Sequence, residues 1–255
     1  MKEVNSYGWK AVISSSIGYA MDGFDLLILG FMLTLISGDL GLTTGQAGSL
    51  VTWTLVGAVI GGLIFGTLSD KFGRVRVLTW TIVLFAVFTG LCAFAQGYWD
   101  LLIYRTIAGI GLGGEFGIGM ALAAEAWPAK HRAKATSYVA LGWQFGVLAA
   151  ALLTPLLIPH IGWRGMFMVG IIPAFVAWIF RSKLHEPEIF VQSKESKEHS
   201  HANSFKLLVK DARTTKTSIG VAILTSVQNF GYYGIMIWLP NFLSKQLGFS
   251  LTKSG

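Results

Sequence analysis

The stretch Gly18-Tyr-Ala-Met-Asp22-Gly-Phe-Asp25-Leu-Leu-Ile-Leu lies in the middle of the first apolar run, residues 11–37. This run is long enough for a bilayer-spanning helix, which needs about 20 residues. An ionised side chain near the bilayer centre costs about 2.5–3.5 kcal/mol, so two aspartates in one span require a polar surrounding. Asp22 and Asp25 are three residues apart and share one helical face. They indicate either a wetted helix end or, the interpretation that we prefer, a proton-binding pair facing a water-accessible cavity.

The composition is that of a membrane protein. Hydrophobic residues make up 53% of the chain and charged residues 13%, about half of the roughly 25% charged residues that soluble domains carry. The apolar runs lack the alternation of strands, and only helices or closed barrels satisfy backbone groups in lipid. The sequence therefore predicts an all-α membrane protein. Besides the first run, six apolar runs are predicted to span, at about residues 46–68, 77–96, 101–124, 136–158, 163–181 and 217–243.

The formal net charge of +7 indicates topology rather than a nucleic-acid partner. If the N-terminus lies inside, most lysines and arginines fall in cytoplasmic segments, with Arg181 and the connection 182–216 among them. Such a bias sets orientation by the positive-inside rule. We expect a multi-pass protein of the cell membrane whose N-terminus and 182–216 connection are cytoplasmic.

Several chemistries are not supported by the residue pattern. Cys92 is the single cysteine, so no disulfide forms within the chain. The histidines of the 182–216 connection lack the spacing of a metal site, and we expect no metal and no cofactor. The glycines at 109, 111 and 114 fit G-x-G-x-x-G, but a dinucleotide fingerprint needs a preceding strand. No nucleophile–base pair lies outside the apolar runs, so we do not expect an enzyme.

The loop after the second run carries the most specific motif. It reads Gly66-Thr-Leu-Ser-Asp70-Lys71-Phe-Gly73-Arg74 and resembles the signature loop of the major facilitator superfamily, with Val75 where the family usually has another base. The resemblance implies that this loop gates opening toward the cytoplasm. It also implies a charge network with the next inner loop. The residues to which we assign this gating role are Gly66, Asp70, Lys71, Gly73, Arg74, Glu125 and Arg132.

Other motifs resemble one branch of that superfamily, the organic-acid:proton symporters, which include carriers of aromatic acids, niacin and sialic acid. They are Asp22-Gly-Phe-Asp25, Gly113-Gly-Glu115 and Glu125-Ala-Trp-Pro128. The resemblance implies a small carboxylate substrate and protons as partners, in addition to membrane lipid. Asp22 and Asp25 would couple protons, while Arg105 would attract the substrate carboxylate or serve as counter-ion of the acids. Further candidate substrate-binding residues are Glu115, Gln144, Asn229, Tyr232 and Tyr233.

An internal echo indicates the architecture. Residues 40–48, after the first span, align without a gap with residues 247–255, after the seventh. Parallel halves are a known device of transporters, and the family resemblance implies two bundles of six helices. We therefore expect a six-helix N-terminal bundle at 1–181, a cytoplasmic inter-bundle loop at 182–216, and at 217–255 the first helix of an incomplete second bundle with the start of an external loop.

The function that follows is secondary active transport, by proton-coupled symport of a small organic acid through alternating access. The missing C-terminal bundle is expected to be needed for activity. Two alternatives stay open at this point: a sugar or polyol symporter of the same superfamily, and a truncated half-carrier that does not transport.

Overall fold

The computed structural model of the chain describes residues 5–187, 190–191 and 209–247. In this part the regular structure is entirely helical, which confirms the all-α prediction. Apart from the short 3-10 helix Ala129–His131, the helices are α1 Ser6–Leu40, α2 Thr44–Phe72, α3 Arg74–Cys92, α4 Tyr98–Glu125, α5 Arg132–Ser182 and α6 Ala212–Leu247.

Helix α5 contains two of the predicted spans. Its only non-helical residue is Gly162, with φ 63° and ψ −177°, a conformation that only glycine adopts readily. The Tyr138 ring lies 5.7 Å from the ring of Trp9, and the Tyr7 hydroxyl donates to the carbonyl of His185 at 2.6 Å. Both ends of α5 therefore lie beside the start of α1, so the arms 132–161 and 163–182 are antiparallel. The two arms complete the six-helix bundle, and the predicted loop between them is reduced to one glycine.

The segments long and apolar enough to cross a membrane are α1, α2, α3, α4 and the segment 129–182, all in the described part of the chain. Helix α1 is the innermost of these, since 78% of its most apolar window is buried. It packs against both α4 and α5. Helices α4 and α5 therefore enclose α1, and the aspartates of α1 sit at the centre of the bundle.

Helices α2 and α4 approach each other through small residues on both sides. A Cβ placed on Gly57 or Gly61 of α2 would strike the backbone of α4, and one on Gly109 or Gly113 of α4 would strike the backbone of α2. Glycines four residues apart allow this close approach in lipid. Gly66, by contrast, faces open space.

The chain reverses between α2 and α3 at Gly73, where φ is 111°. Glycine adopts such a positive φ more readily than any other residue. The division into domains at 181 and 216 stays a prediction. Residues 248–255, which carry most of the second copy of the internal echo and the predicted external loop, lie outside the described residues.

Candidate functional site: a buried charge set beside an aromatic cavity

The described core holds charged side chains of two kinds. Three are carboxyls and two are guanidiniums, all at most 2% exposed: Asp22, Asp25, Glu115, Arg105 and Arg181. We call these five the buried charge set. Charges removed from water persist only when they are paired and hydrogen-bonded. The partners of each member therefore decide what the site can do.

Asp25 and Arg105 form a two-pronged pair between α1 and α4. Arg105 Nη1 donates to Asp25 Oδ1 at 3.0 Å, and Nη2 donates to Oδ2 at 2.7 Å. Such parallel bonds fix both position and orientation. The guanidinium also lies 5.8 Å from the centre of the Phe167 ring. Of the two roles expected for Arg105, the structure shows that of a counter-ion, and its full burial rules out a side chain extended to the membrane surface.

Glu115 and Arg181 form a second buried pair, between α4 and α5. Arg181 Nη1 donates to Glu115 Oε1 at 2.8 Å, and Nη2 donates to Oε2 at 2.5 Å. The Thr81 hydroxyl also donates to Glu115 at 2.7 Å, and the Leu78 carbonyl accepts from Arg181 at 2.9 Å. Assigning Arg181 to the cytoplasmic bases was therefore wrong. Its side chain is 1% exposed because Glu115 draws it into the bundle.

Gly18 makes room for this second pair. A Cβ on Gly18 would meet both Arg181 Nη2 and Glu115 Oε2. Because Gly18 and Asp22 are four residues apart on α1, they occupy the same helical face one turn from each other. The Glu115–Arg181 pair thus lies next to Asp22 along α1.

Asp22 is the member of the set without a cation. Its side chain is 1% exposed, and its Oδ1 atom has no hydrogen-bond partner among the described residues. Asp22 also lines a cavity with a volume of about 950 Å³. A buried carboxyl that opens onto a cavity is the one group here that can exchange a proton without breaking an ion pair.

The cavity lies between the bundle and α6, and its walls are mostly aromatic and apolar, with polar groups on both sides. Its described lining contains no lysine, arginine or histidine. The polar groups of α6 are Thr225, Ser226, Gln228 and Asn229, and the other lining residues are Tyr19, Asp22, Gly48, Val51, Thr52, Leu55, Ala58, Val59, Leu112, Gly113, Phe116, Trp143, Phe230, Tyr233, Gly234 and Trp238.

Aromatic rings surround Asp22. The Tyr19 ring lies 5.1 Å from that of Trp143 and 5.0 Å from that of Phe116. The Trp143 indole donates to the Tyr232 hydroxyl at 2.7 Å, and the rings of Tyr232 and Tyr233 meet edge to face at 5.5 Å. Trp143 is both a packing residue and a wall of the cavity. Flat aromatic walls of this kind favour contact with flat, unsaturated ligands.

The structure brings together only part of the predicted site. Asp22, Asn229 and Tyr233 line the cavity, and Tyr232 lies behind it on Trp143. Two predicted substrate contacts, Arg105 and Glu115, are instead held in ion pairs outside the lining. Gln144 is exposed and also lies outside the lining.

Sequence reasoning missed three residues of the site. Arg181 stands at the end of an apolar run, where it cannot be told from a topological base. Tyr19 and Phe116 carry no motif, although Tyr19 falls one helical turn from Asp22 and so shares its face. That spacing was the available signal for Tyr19.

The signature loop forms a separate cluster at the end of the bundle, which we call the loop network. Arg74 pairs with Asp70, its Nη1 donates to Ser69 Oγ at 2.7 Å, and its Nη2 contacts Glu125 at 3.1 Å. The Glu186 carboxylate accepts from the backbone amides of Val75 and Arg76 at 3.1 and 3.0 Å. The predicted link between the two inner loops is therefore present through Arg74 and Glu125.

The remaining gating candidates lie around this network. Gly66, Asp70 and Arg74 line a second cavity of about 400 Å³ between α2 and α4. The Lys71 ammonium lies 5.4 Å from the centre of the Phe72 ring. Arg132 is exposed and stands outside the described ion pairs of the network. In the described residues no cluster of three or more histidine, cysteine, aspartate or glutamate side chains could hold a metal ion.

Residues 15–255 match the protein family described as Major Facilitator Superfamily. The chain is 78% identical over 258 residues to a putative metabolite transport protein of Haemophilus influenzae, covering 99% of this chain and 63% of that protein. It is 34% identical over 250 residues to the cis,cis-muconate transport protein of Acinetobacter baylyi, covering 96% of this chain and 60% of that protein. The chain thus spans less than two thirds of either relative.

A solved structure shows the same fold. The crystal structure of a D-xylose-proton symporter superposes with a TM-score of 0.76 at 23% identity, covering 98% of this chain and 64% of the other. At that identity the likeness establishes the arrangement of the helices.

Proposed function

This chain belongs to the Major Facilitator Superfamily, and from that premise we propose that it forms the first half of a carrier that couples protons to the transport of a small organic carboxylate. The family and the transport proteins among its relatives indicate a multi-pass membrane transporter rather than an enzyme. The observation that carries the proposal is Asp22, a buried carboxyl without a cation at the wall of an aromatic cavity.

The cavity supplies the chemistry that such a carrier needs. Tyr19, Phe116 and Trp143 offer flat surfaces for a conjugated substrate, and Asn229 and Tyr233 offer hydrogen-bonding groups from α6. Because the described lining has no cation, we propose that a second bundle supplies the positive partner of the substrate carboxylate. The muconate carrier among the relatives supports this substrate class.

Asp22 is the proposed coupling residue, and Asp25 takes a supporting role. Asp25 is bonded twice to Arg105, so protonating it would leave a buried guanidinium without its partner, which is costly. Protonating Asp22 breaks no such pair. Arg105 and Glu115 are proposed to act through their ion pairs, which hold α1, α4 and α5 around the cavity, while Gln144 is proposed to meet substrate only after the bundles have moved.

We propose alternating access between two bundles around this cavity. The loop network would hold the carrier closed at the signature-loop end, with Gly66, Asp70 and Arg74 forming the second cavity, into which a helix of the other bundle would fit. Lys71, Gly73, Glu125 and Arg132 would complete this gate. The basic residues at that end support a cytoplasmic orientation for it, for the N-terminus and for the 182–216 connection.

Transport by the full-length carrier in liposomes tests the proposal. An inwardly directed proton gradient should drive accumulation of labelled cis,cis-muconate or benzoate. Asp22→Asn should abolish the dependence of uptake on this gradient. Asp39→Asn serves as the control, because Asp39 forms an exposed pair with Arg164 at 2.5 Å near the far end of α1. The control should accumulate label like the unmodified carrier.

Three results would contradict the proposal. Gradient-driven uptake of xylose in place of the acids would establish the sugar symporter. Absence of uptake for every substrate class, with the full-length protein folded, would rule out the proposed transport. Accumulation by Asp22→Asn equal to that of the control would remove Asp22 from coupling.

A further inference from the structure

We infer that the buried charge set binds one proton, at Asp22, and that the Glu115–Arg181 pair keeps it there. Given the proposed function, it follows that this half of the carrier transports one proton in each cycle. The inference also identifies Glu115 and Arg181 as positioning residues, which act on Asp22 without touching the substrate.

The number follows from the charges themselves. Three carboxyls face two guanidiniums in the described core: Asp22, Asp25 and Glu115 against Arg105 and Arg181. With every group ionised the set carries a charge of minus one. An uncompensated charge in a membrane interior is unfavourable, and the group neutralises instead. A single proton brings the set to zero.

The contacts decide which carboxyl takes the proton. Asp25 accepts two bonds from Arg105. Glu115 accepts two from Arg181 and a third from the Thr81 hydroxyl. Asp22 has an oxygen with no partner among the described residues. The proton therefore belongs on the least satisfied carboxyl, which is also the one that opens onto the cavity.

The titratable groups near Asp22 lie on four helices. Tyr19 and Asp25 lie on α1 itself, Glu115 on α4, Arg181 on the second arm of α5, and Tyr233 on α6. The charges of Glu115, Arg181 and Asp25 reach Asp22. Of the two guanidiniums, Arg181 is the one beside Gly18, a single helical turn along α1. Arg181 is thus the cation that Asp22 would take if Glu115 released it.

This arrangement makes the charge of Asp22 depend on Glu115. While Glu115 neutralises Arg181, Asp22 keeps its proton. If Glu115 loses its charge, Arg181 needs another anion, and the nearest carboxyl without a cation is Asp22. A purely structural pair would not produce this exchange, since it would change stability and leave the protonation of Asp22 as it was.

Infrared spectroscopy counts the protons directly, because a protonated carboxyl has a carbonyl stretch that a carboxylate lacks. The full-length protein in lipid nanodiscs is measured at pH 7, where exposed carboxyls, with a pKa of about 4, are ionised. Asp22→Asn should lose one protonated-carboxyl band. Carbon-13 labelling of aspartate carboxyls should shift that band in the unmodified protein, and labelling of glutamate carboxyls should leave it in place.

The pair is tested by changing its charge one member at a time. Glu115→Gln should lose the band at pH 7, because Arg181 then favours an ionised Asp22. The band should return at a pH about one to three units lower, since a nearby opposite charge usually lowers the pKa of a carboxyl by that amount. Arg181→Gln should gain a second band. The double variant Glu115→Gln/Arg181→Gln should restore a single band, as should the conservative Arg181→Lys. Asp39→Asn, which alters an exposed pair, should leave the spectrum unchanged.

The inference is overturned if the unmodified protein shows no protonated carboxyl that Asp22→Asn removes, or if the band follows the glutamate label. An unaltered spectrum in Glu115→Gln would overturn the role of the pair. If Arg181→Gln folds poorly, the spectra of Arg181→Lys and of the double variant decide whether the pair acts on Asp22. Since the count needs no transport, it can succeed while muconate uptake fails, and the two proposals fail separately.

Discussion

The buried charge set and the loop network are both built from arginines paired with acidic side chains. The first lies in the core of the bundle, whereas the second is partly exposed to water. Arg105 and Asp25 are 0% and 1% exposed at their side chains, whereas Arg74 and Asp70 are 16% and 52% exposed. Arg105 is committed to one carboxylate, whereas Arg74 is shared between Asp70 and Glu125. In the buried core each ion pair keeps one partner, and an unpaired charge is costly. In contact with water an ion pair can exchange partners at little cost.

This difference matches what each region is proposed to do. A coupling site needs a fixed number of protons, so every charge around it must be accounted for. A gate needs contacts that break and re-form in each cycle, so each of its ion pairs must be individually weak. Asp22, a buried carboxyl without a cation, illustrates the first requirement. Arg74, which is shared between two carboxylates, illustrates the second.

Breaking the Asp25–Arg105 pair is expected to have the largest effect. Arg105→Gln leaves a carboxylate buried without its cation, and such losses cost about 3–5 kcal/mol. We expect a large drop in the thermal unfolding midpoint, measured by size-exclusion chromatography of heated, detergent-solubilised protein. The double variant Asp25→Asn/Arg105→Gln, which removes both charges, should recover much of the loss. A midpoint for Arg105→Gln equal to that of the unmodified protein would show that the pair is not held in the core.

Filling the space at Gly18 is expected to have the next largest effect. In Gly18→Ala the new methyl group meets Glu115 and Arg181, and overpacking of a well-packed interior costs about 1–3 kcal/mol. Gly38→Ala is the matched control, because that glycine lies on the same helix and faces open space. We expect the same chromatographic assay to show a lower midpoint for Gly18→Ala alone. Equal midpoints for the two variants would mean that the buried pair has room to move.

Sequence patterns predicted the scaffold well because lipid constrains it strongly. Length and apolarity were enough for the first six spans, which form α1 to α4 and the two arms of α5. The exact ends were not predictable. The turn between the fifth and sixth spans is reduced to Gly162, since its φ of 63° reverses the chain without a loop.

The site was predicted only in part, because pairing depends on how helices face each other. The spacing of Asp22 and Asp25 placed both on one face, yet nothing along the chain says that Arg105 selects Asp25 and leaves Asp22 alone. Arg181 shows the same limit. A base at the end of an apolar run is usually topological, and only the opposing Glu115 on α4 makes it a core residue.

Within the loop network a much smaller effect is expected. Arg74→Gln removes two partly exposed ion pairs, with Asp70 and with Glu125, and pairs of that kind contribute about 0–1 kcal/mol each. The unfolding midpoint should therefore fall only slightly. Added salt should narrow the difference from the unmodified protein, because ions screen exposed charges. A loss as large as that of Arg105→Gln would mean that the network behaves as a buried one, and the contrast between the two regions would be lost.

The smallest effect is expected at a fully exposed carboxylate, Asp211, just before α6. Its Oδ1 atom accepts from the Thr214 amide at 2.8 Å, and Oδ2 accepts from the Thr214 hydroxyl at 2.9 Å. The bond from the Thr214 amide holds the pKa of Asp211 below its usual value. A carboxyl whose pKa is lowered by folding stabilises the folded state above its unfolded pKa and loses that contribution as the pH falls through its folded pKa. Hydrogen-exchange protection of the first turn of α6 should therefore decrease in acid, whereas Asp211→Asn, which can still cap the helix but does not titrate, should show no such decrease.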